Sequence, residues 1–162
     1  MAGHVVQIAE VDDASDYATA RALFLEYAAS LGVDLCFQGF AQELEQLPEM
    51  YGLPTGRLIL GRTGDAVIGC VGIRRLAHET CEMKRLFVRE GARGTGAGRQ
   101  LAVAAMRIAR RLGYRRMALD TLETMVAARR IYAALGFVDT DPYYRNPLPG
   151  VRSMAADLDG AV

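Results

Sequence analysis

Between Val88 and Arg99 the chain reads Val-Arg-Glu-Gly-Ala-Arg-Gly-Thr-Gly-Ala-Gly-Arg, an apolar run on one side and helical periodicity on the other. Glycines let the backbone pass through positive φ and approach a ligand closely. A helix starting there aims unpaired N–H groups and its positive dipole end into the loop, which suits a phosphate group. Two familiar phosphate motifs do not fit. A Walker A loop needs Gly-Lys-Ser/Thr, but the only lysine is Lys84 and Gly98 is followed by Arg99. A dinucleotide fingerprint needs a third glycine where Arg99 or Leu101 stands, although Asp120 lies near the distance of a ribose-binding acid. No metal is expected. His4 and His78 lack ligand-spaced neighbours, and Cys36, Cys70 and Cys81 form no C-x-x-C pair. An odd thiol count without a secretion signal predicts reduced cysteines in a cytoplasmic protein.

The elements that must position this loop follow from periodicity and punctuation. Val5–Val11 reads as a strand and Tyr17–Leu31 as a helix, with Asp12, Asp13 and Ser15 as candidate N-caps and Gly32 as C-cap. A second helix is expected over Phe40–Met50, disturbed at its end by Pro48. Arg57–Arg62, Ala66–Leu76 and Cys81–Val88 form an antiparallel meander with turns at Gly64-Asp65 and His78-Glu79. The glycine segment Gly91–Gly98 leads into a helix over Arg99–Leu112, ended by Gly113. Arg115–Leu122 reads as a strand, Met125–Leu135 as a helix closed by Gly136, and Phe137–Thr140 as a strand. A Pro-rich loop, Pro142–Gly150, precedes a last strand at Arg152–Leu158. The order predicts one α/β domain over residues 1–162: a mixed central sheet of six or seven strands, mostly antiparallel, with about four helices.

Arg93, Gly96 and Gly98 fill the pattern Arg/Gln-x-x-Gly-x-Gly/Ala, and Ala128-x-x-x-Tyr132-x-x-x-Gly136-Phe137 follows one strand later. With these residues the chain resembles the GNAT superfamily of acetyl-CoA-dependent N-acetyltransferases, firmly from Cys81 to Phe137. The resemblance implies acetyl-CoA as cosubstrate, its pyrophosphate held by Arg93, Gly94, Thr95, Gly96, Ala97, Gly98 and Arg99. It also implies that Leu86, Phe87 and Val88 pair their backbone with the pantetheine arm, and that an amide near Val88 polarises the thioester carbonyl. Many members place Asn where Met125 stands, so a polar clamp there is lost and Thr124 or backbone must replace it.

Acyl transfer to an amine needs a base to free the amine and an acid to protonate the leaving thiolate. By resemblance Glu82 is the base and Tyr132 the acid. Strand alternation alone would put Glu82 on one face with Lys84, Leu86 and Val88, and Tyr132 would share a buried helix face with Val126, Ile131 and Leu135. The alternatives are a salt-bridged strand glutamate and a core tyrosine.

The acceptor is less defined. Arg74, Arg75, Lys84 and Arg85 on the central strands, with Tyr143, Tyr144, Arg145 and Asn146 on the late loop, suit an amine carrying a carboxylate, such as an amino acid. The charge distribution points the other way. Nineteen acids balance nineteen bases, yet residues 1–50 hold nine acids against Arg21 alone, while residues 81–116 hold ten bases against Glu82 and Glu90. The acid-rich early helices would favour a cationic amine, and Arg89, Arg93 and Arg99 would attract a polyanionic cofactor. Overall neutrality argues against a nucleic-acid coat, and no apolar stretch approaches the roughly 18–20 residues of a membrane helix. The expected partner is a small-molecule amine, with a homodimer implied by resemblance only. A non-catalytic CoA-sensing or partner-binding module is the alternative function.

Overall fold

The computed structural model describes residues 5–32 and 39–159; Cys36 and His4 lie outside them. Its elements are β1 (Gln7–Glu10), α1 (Ala14–Leu31), α2 (Phe40–Glu45), α3 (Leu47–Tyr51), β2 (Arg57–Thr63), β3 (Ala66–Ala77), β4 (Thr80–Val88), α4 (Ala97–Arg111), β5 (Arg116–Leu122), α5 (Val126–Ala134), β6 (Val138–Asp139) and β7 (Val151–Asp157). Asp13 caps α1 by accepting the Asp16 N–H at 2.8 Å, and Gly32, left-handed at φ +64°, closes it. The helix expected over Phe40–Met50 is two helices. Pro48 has no N–H to give and would clash with the carbonyl four residues back. The chain therefore breaks at Gln46, and Pro48 falls in the first turn of α3, where proline is tolerated. That break makes the described helices five rather than about four.

The seven strands form one sheet in the order β1-β2-β3-β4-β5-β7-β6, antiparallel except for β4 and β5. Period-two burial divides the core. On β2, Leu58 and Leu60 pack with Leu23, Phe24, Leu44 and Tyr51 under α1–α3, whereas Ile59 packs with Leu101, Ala105 and Met106 of α4. The outcome is a sheet with α1–α3 on one face and α4 on the other.

Two departures from regular pairing shape the site. The first is a bulge on β4, where Cys70 pairs Phe87 but Gly72 pairs Lys84, and Arg85 takes φ +62°. Cys81 and Met83 face α4, but beyond Arg85 the parity flips: Leu86 and Val88 turn toward that same side, and Phe87 toward α1. Glu82 and Lys84 therefore do not share a face with Leu86 and Val88, contrary to simple alternation. The second departure is that β4 and β5 pair only over Thr80–Glu82 and Arg116–Ala118. Beyond that short ladder no pairing joins them, and a gap opens toward their C-terminal ends, where the two strands would otherwise continue.

Candidate active site

The glycine segment leads directly into the N-terminus of α4. Gly94 and Gly96 are left-handed at φ +79° and +86°, and no side chain caps the helix. The first intrahelical bond runs from the Gln100 N–H to the Gly96 carbonyl at 3.1 Å, so the amides of Ala97, Gly98 and Arg99 precede it. The first turn contains no acid. Arg93 braces the loop: its Nε donates to the Val88 carbonyl at 3.0 Å, and its guanidinium lies over the Phe87 ring. Thr95 Oγ1 donates to the Ala92 carbonyl at 2.6 Å, and the Ala97 side chain is buried with Val6 and Ile68. These two positions can offer backbone, not side chain. Gly98 is a packing position, where a Cβ would stand 3.1 Å from Ile131 Cδ1. Arg89 is occupied, donating to Glu26 at 2.6 and 3.0 Å, whereas Arg99 is exposed and makes no ion pair among the described residues.

From this loop a groove of about 470 Å³ runs between β4 and the start of α5, lined by Leu86, Phe87, Val88, Arg93, Gly98 and Met125 among others. It shares Tyr27, Leu31, Leu86 and Met125 with a smaller cavity of about 60 Å³ in the gap between β4 and β5. Glu82, Lys84, Asp120, Tyr132, Tyr144 and Asn146 line that cavity. The gap thus joins both sequence-derived catalytic candidates to one end of the groove.

Glu82 is 1% exposed and held from two sides: Arg74 Nε donates to Oε1 at 2.8 Å and the Tyr143 hydroxyl to Oε2 at 2.6 Å. A carboxylate has lone pairs beyond those two bonds. Burial, with Glu82 beside it, keeps the Tyr143 phenol protonated well above its ordinary range. Tyr132 packs edge-on against Phe137, and burial likewise raises its phenol far above the usual value, so it remains a proton donor at any neutral pH. Its hydroxyl has no hydrogen-bond partner among the described residues. Ile131 and Leu135 accompany it toward the core, but Val126 is half-exposed, contrary to the expected common face.

The bulge sends Arg85 toward α2, where Nε and one terminal nitrogen donate to the two oxygens of Glu43 at 3.0 and 2.9 Å. The Tyr51 hydroxyl adds a bond to Glu43 at 3.0 Å. Burial raises the Glu43 carboxyl, but the Arg85 bonds and charge outweigh it and the net shift is downward. Arg85 is thus a buried structural partner. Lys84 stays half-buried at the cavity wall. Its ammonium has no ion pair among the described residues, and burial lowers its pKa despite the nearby charges of Glu82 and Glu43.

Asp120 and Glu43 are the residues that sequence reasoning undervalued. Asp120 accepts from Ser153 Oγ at 2.6 Å and Asn146 Nδ2 at 3.3 Å at the cavity wall. Its signal was an acid directly after the apolar run Met117–Leu119. Of the cations considered for the acceptor, Arg75 is exposed and lines none of these cavities. Among the described residues no cluster of His, Cys, Asp or Glu could hold a metal, and no helix is long and apolar enough to cross a membrane.

A strand edge, a glycine loop leading into a helix N-terminus, and a gap between two parallel strands thus come together at one end of the groove. Residues 24–137 match the Acetyltransferase (GNAT) family. An uncharacterized N-acetyltransferase of Schizosaccharomyces pombe is 36% identical over 155 residues, covering 94% of this chain and 95% of that protein. Another, of Dictyostelium discoideum, is 29% identical over 204 residues, covering 88% and 94%. Among solved structures, a GNAT-family acetyltransferase of Staphylococcus aureus Mu50 has TM-score 0.76 at 19% identity, covering 95% of this chain and 99% of that one. A Bacillus subtilis acetyltransferase in complex with CoA has TM-score 0.67 at 17% identity, covering 94% and 99%. The chain belongs to the GNAT acetyltransferase family and is an enzyme of the acetyltransferase class.

Proposed function

We propose that the protein, as one domain over residues 1–162, transfers acetyl from acetyl-CoA to the primary amine of a small molecule by direct attack. Glu82 serves as base and Tyr132 as acid. The observation that carries this reading is the shared lining: Glu82 and Tyr132 face one cavity, and that cavity adjoins the groove leading to the α4 N-terminus.

Acetyl-CoA would supply the activated thioester, with the CoA thiolate as leaving group. The exposed Arg99 and the amides of Ala97, Gly98 and Arg99 suit its pyrophosphate, with no acid in the helix's first turn to oppose it. The edge of β4 beyond its ladder with β5 has backbone groups to offer the pantetheine arm at Leu86, Phe87 and Val88. Glu82 takes the proton of the acceptor amine, directly or through one water in the cavity it lines. Tyr132 gives its proton to the leaving sulfur, a role that burial favours by keeping the phenol protonated.

A thiol-release assay over amino acids, polyamines, aminoglycosides and lysine peptides tests turnover. Tyr132→Phe and Glu82→Gln are each expected to lower kcat by about 10²–10⁴-fold while acetyl-CoA affinity, read by calorimetry, stays near wild type. An unchanged rate removes the residue from its role. Acetyl-CoA binding with no acceptor raising thiol release above hydrolysis would favour the non-catalytic sensor instead.

A further inference from the structure

Beside the transfer cavity lies a second one of about 270 Å³, lined by Glu43, Met50, Arg74, Leu76, Lys84, Tyr144 and Arg145. The two share Lys84 and Tyr144 as a common wall. The charges around this wall are unequally spent. Both oxygens of Glu43 are committed to Arg85, whereas Glu82 accepts one bond on each oxygen, from Arg74 and Tyr143, and keeps lone pairs at the wall of the transfer cavity. Glu45 and Glu49, the other acids of α2 and α3, are exposed and line neither cavity. The cations are less fully used. Arg74 spends only Nε on Glu82, leaving the terminal nitrogens of its fork without a partner among the described residues. Arg145 is exposed on the cavity rim with no ion pair among them.

Lys84 is the only lysine among the nineteen basic residues of the chain. A half-buried ammonium with no carboxylate in direct contact is costly unless a ligand completes it. The other end of the site has the opposite sign: Glu82 and Asp120 line the transfer cavity, where the attacking nitrogen must stand. The site is therefore dipolar, acids at the reacting end and cations at the far end.

We infer that the acceptor is a small amine that also carries a carboxylate, its amine turned toward Glu82 and Asp120 and its carboxylate held by Lys84, Arg74 and Arg145. This rests on the acetyl-transfer reading and narrows it to amino-acid-like acceptors. Arginine matches a carboxylate with two parallel bonds, and lysine supplies a compact charge at the boundary between the cavities. The acid-rich first fifty residues do not reverse this preference, because five of their eight described acids are held in ion pairs and the other three, Asp13, Glu45 and Glu49, line neither cavity. Glu10 and Asp12 bind Arg57, Asp16 binds Arg62, Glu26 binds Arg89 and Glu43 binds Arg85.

The test compares the common α-amino acids with their α-amides in the thiol-release assay. Charge-assisted bonds of this kind predict that kcat/KM for the preferred acid exceeds that of its amide by about 10–100-fold, mainly through KM. The ratio should collapse toward one in Lys84→Met and in the exposed-site variant Arg145→Gln, and be retained in Lys84→Arg. Because Lys84 is the sole lysine, its acetylation by an amine-specific reagent can be read by mass spectrometry. N-acetyl amino acids with CoA should protect it, and N-acetyl amino acid amides should not. Amides acetylated as well as acids, with no selective protection, overturn the inference and leave acetyl transfer standing. No turnover on any acceptor but selective protection overturns the transfer reading and keeps the anion site. Neither turnover nor protection overturns both.

Discussion

Glu43 shows how one residue can matter to the site without touching the chemistry. Glu43 and Arg85 are 2% and 4% exposed at their side chains, and their contact fixes the residue next to Lys84 on the bulge. Removing one partner of a buried pair leaves the other's charge uncompensated, which costs about 3–5 kcal/mol. Glu43→Ala is thus expected to lower stability by that order in denaturant titration. Tyr51→Phe, which deletes one hydrogen bond and keeps the ring, should cost about 1 kcal/mol. Equal losses would deny the pair its central place. Sequence could not reveal this contact. The partners lie 42 residues apart, and each is of a type usually found at the surface. Tyr132 was legible because its register with Gly136 and Phe137 is local, and the structure seats its ring against Phe137. Lys84 and Arg85 looked equivalent as adjacent cations; only the turn of the backbone between them makes one structural and leaves the other at the cavity.

At the scale of elements, the succession of strands, helices and turns along the chain was legible because Gly, Pro and the periodicity of apolar residues mark them. The β4 bulge was not. Its left-handed residue is Arg85 rather than glycine, so no punctuation announced the flip that separates Glu82 and Lys84 from Leu86 and Val88. The loop before α4 is the opposite case, its glycines declaring the conformation. Gly96 is left-handed at φ +86°, and a Cβ there would meet only Gln100 Nε2, at 3.9 Å, so its constraint is conformational rather than steric. Gly96→Val is expected to weaken acetyl-CoA binding at least tenfold in calorimetry. Gly113→Val provides the control. Gly113 has φ +101° and equally open space at the far end of α4, so that variant should lose stability while keeping cofactor affinity. If both variants bind alike, the loop conformation does not matter to the cofactor.

Across the whole molecule, the strong charge asymmetry of the sequence becomes a set of long-range ties. Acids of the first fifty residues reach Arg57, Arg62, Arg85, Arg89 and Arg111, so opposite blocks of sequence largely cancel through space. What a one-dimensional reading took as an acidic acceptor side is therefore mostly cross-linking. Most of these pairs are partly exposed and individually weak, but they share a common dependence on ionised carboxylates. Glu10 is the clearest case. It takes hydrogen bonds from Arg111 and Arg57, and the Arg111 contact, against a smaller opposing effect of burial, lowers its pKa from 4.5 to about 2. The folded value lies below the unfolded one, so the stabilisation is complete above about pH 4.5 and is lost as pH falls toward 2. Calorimetric Tm should decline through that window in the wild type. In Glu10→Gln, Tm at pH 6 should start lower and fall less between pH 4.5 and 2, because the titrating tie is already absent. Parallel curves for the two proteins would mean that Glu10 contributes no pH-dependent stability, and acid unfolding would then have to arise from the other carboxylates, Glu43 foremost. Glu43 has the same sign of shift but lies in the core, so its tie is screened far less by salt than the partly exposed pairs. Repeating the two melts at high salt separates the contributions. The Glu10-dependent difference should shrink as its pairs are screened, while the remaining acid transition, carried by the buried pair, should persist.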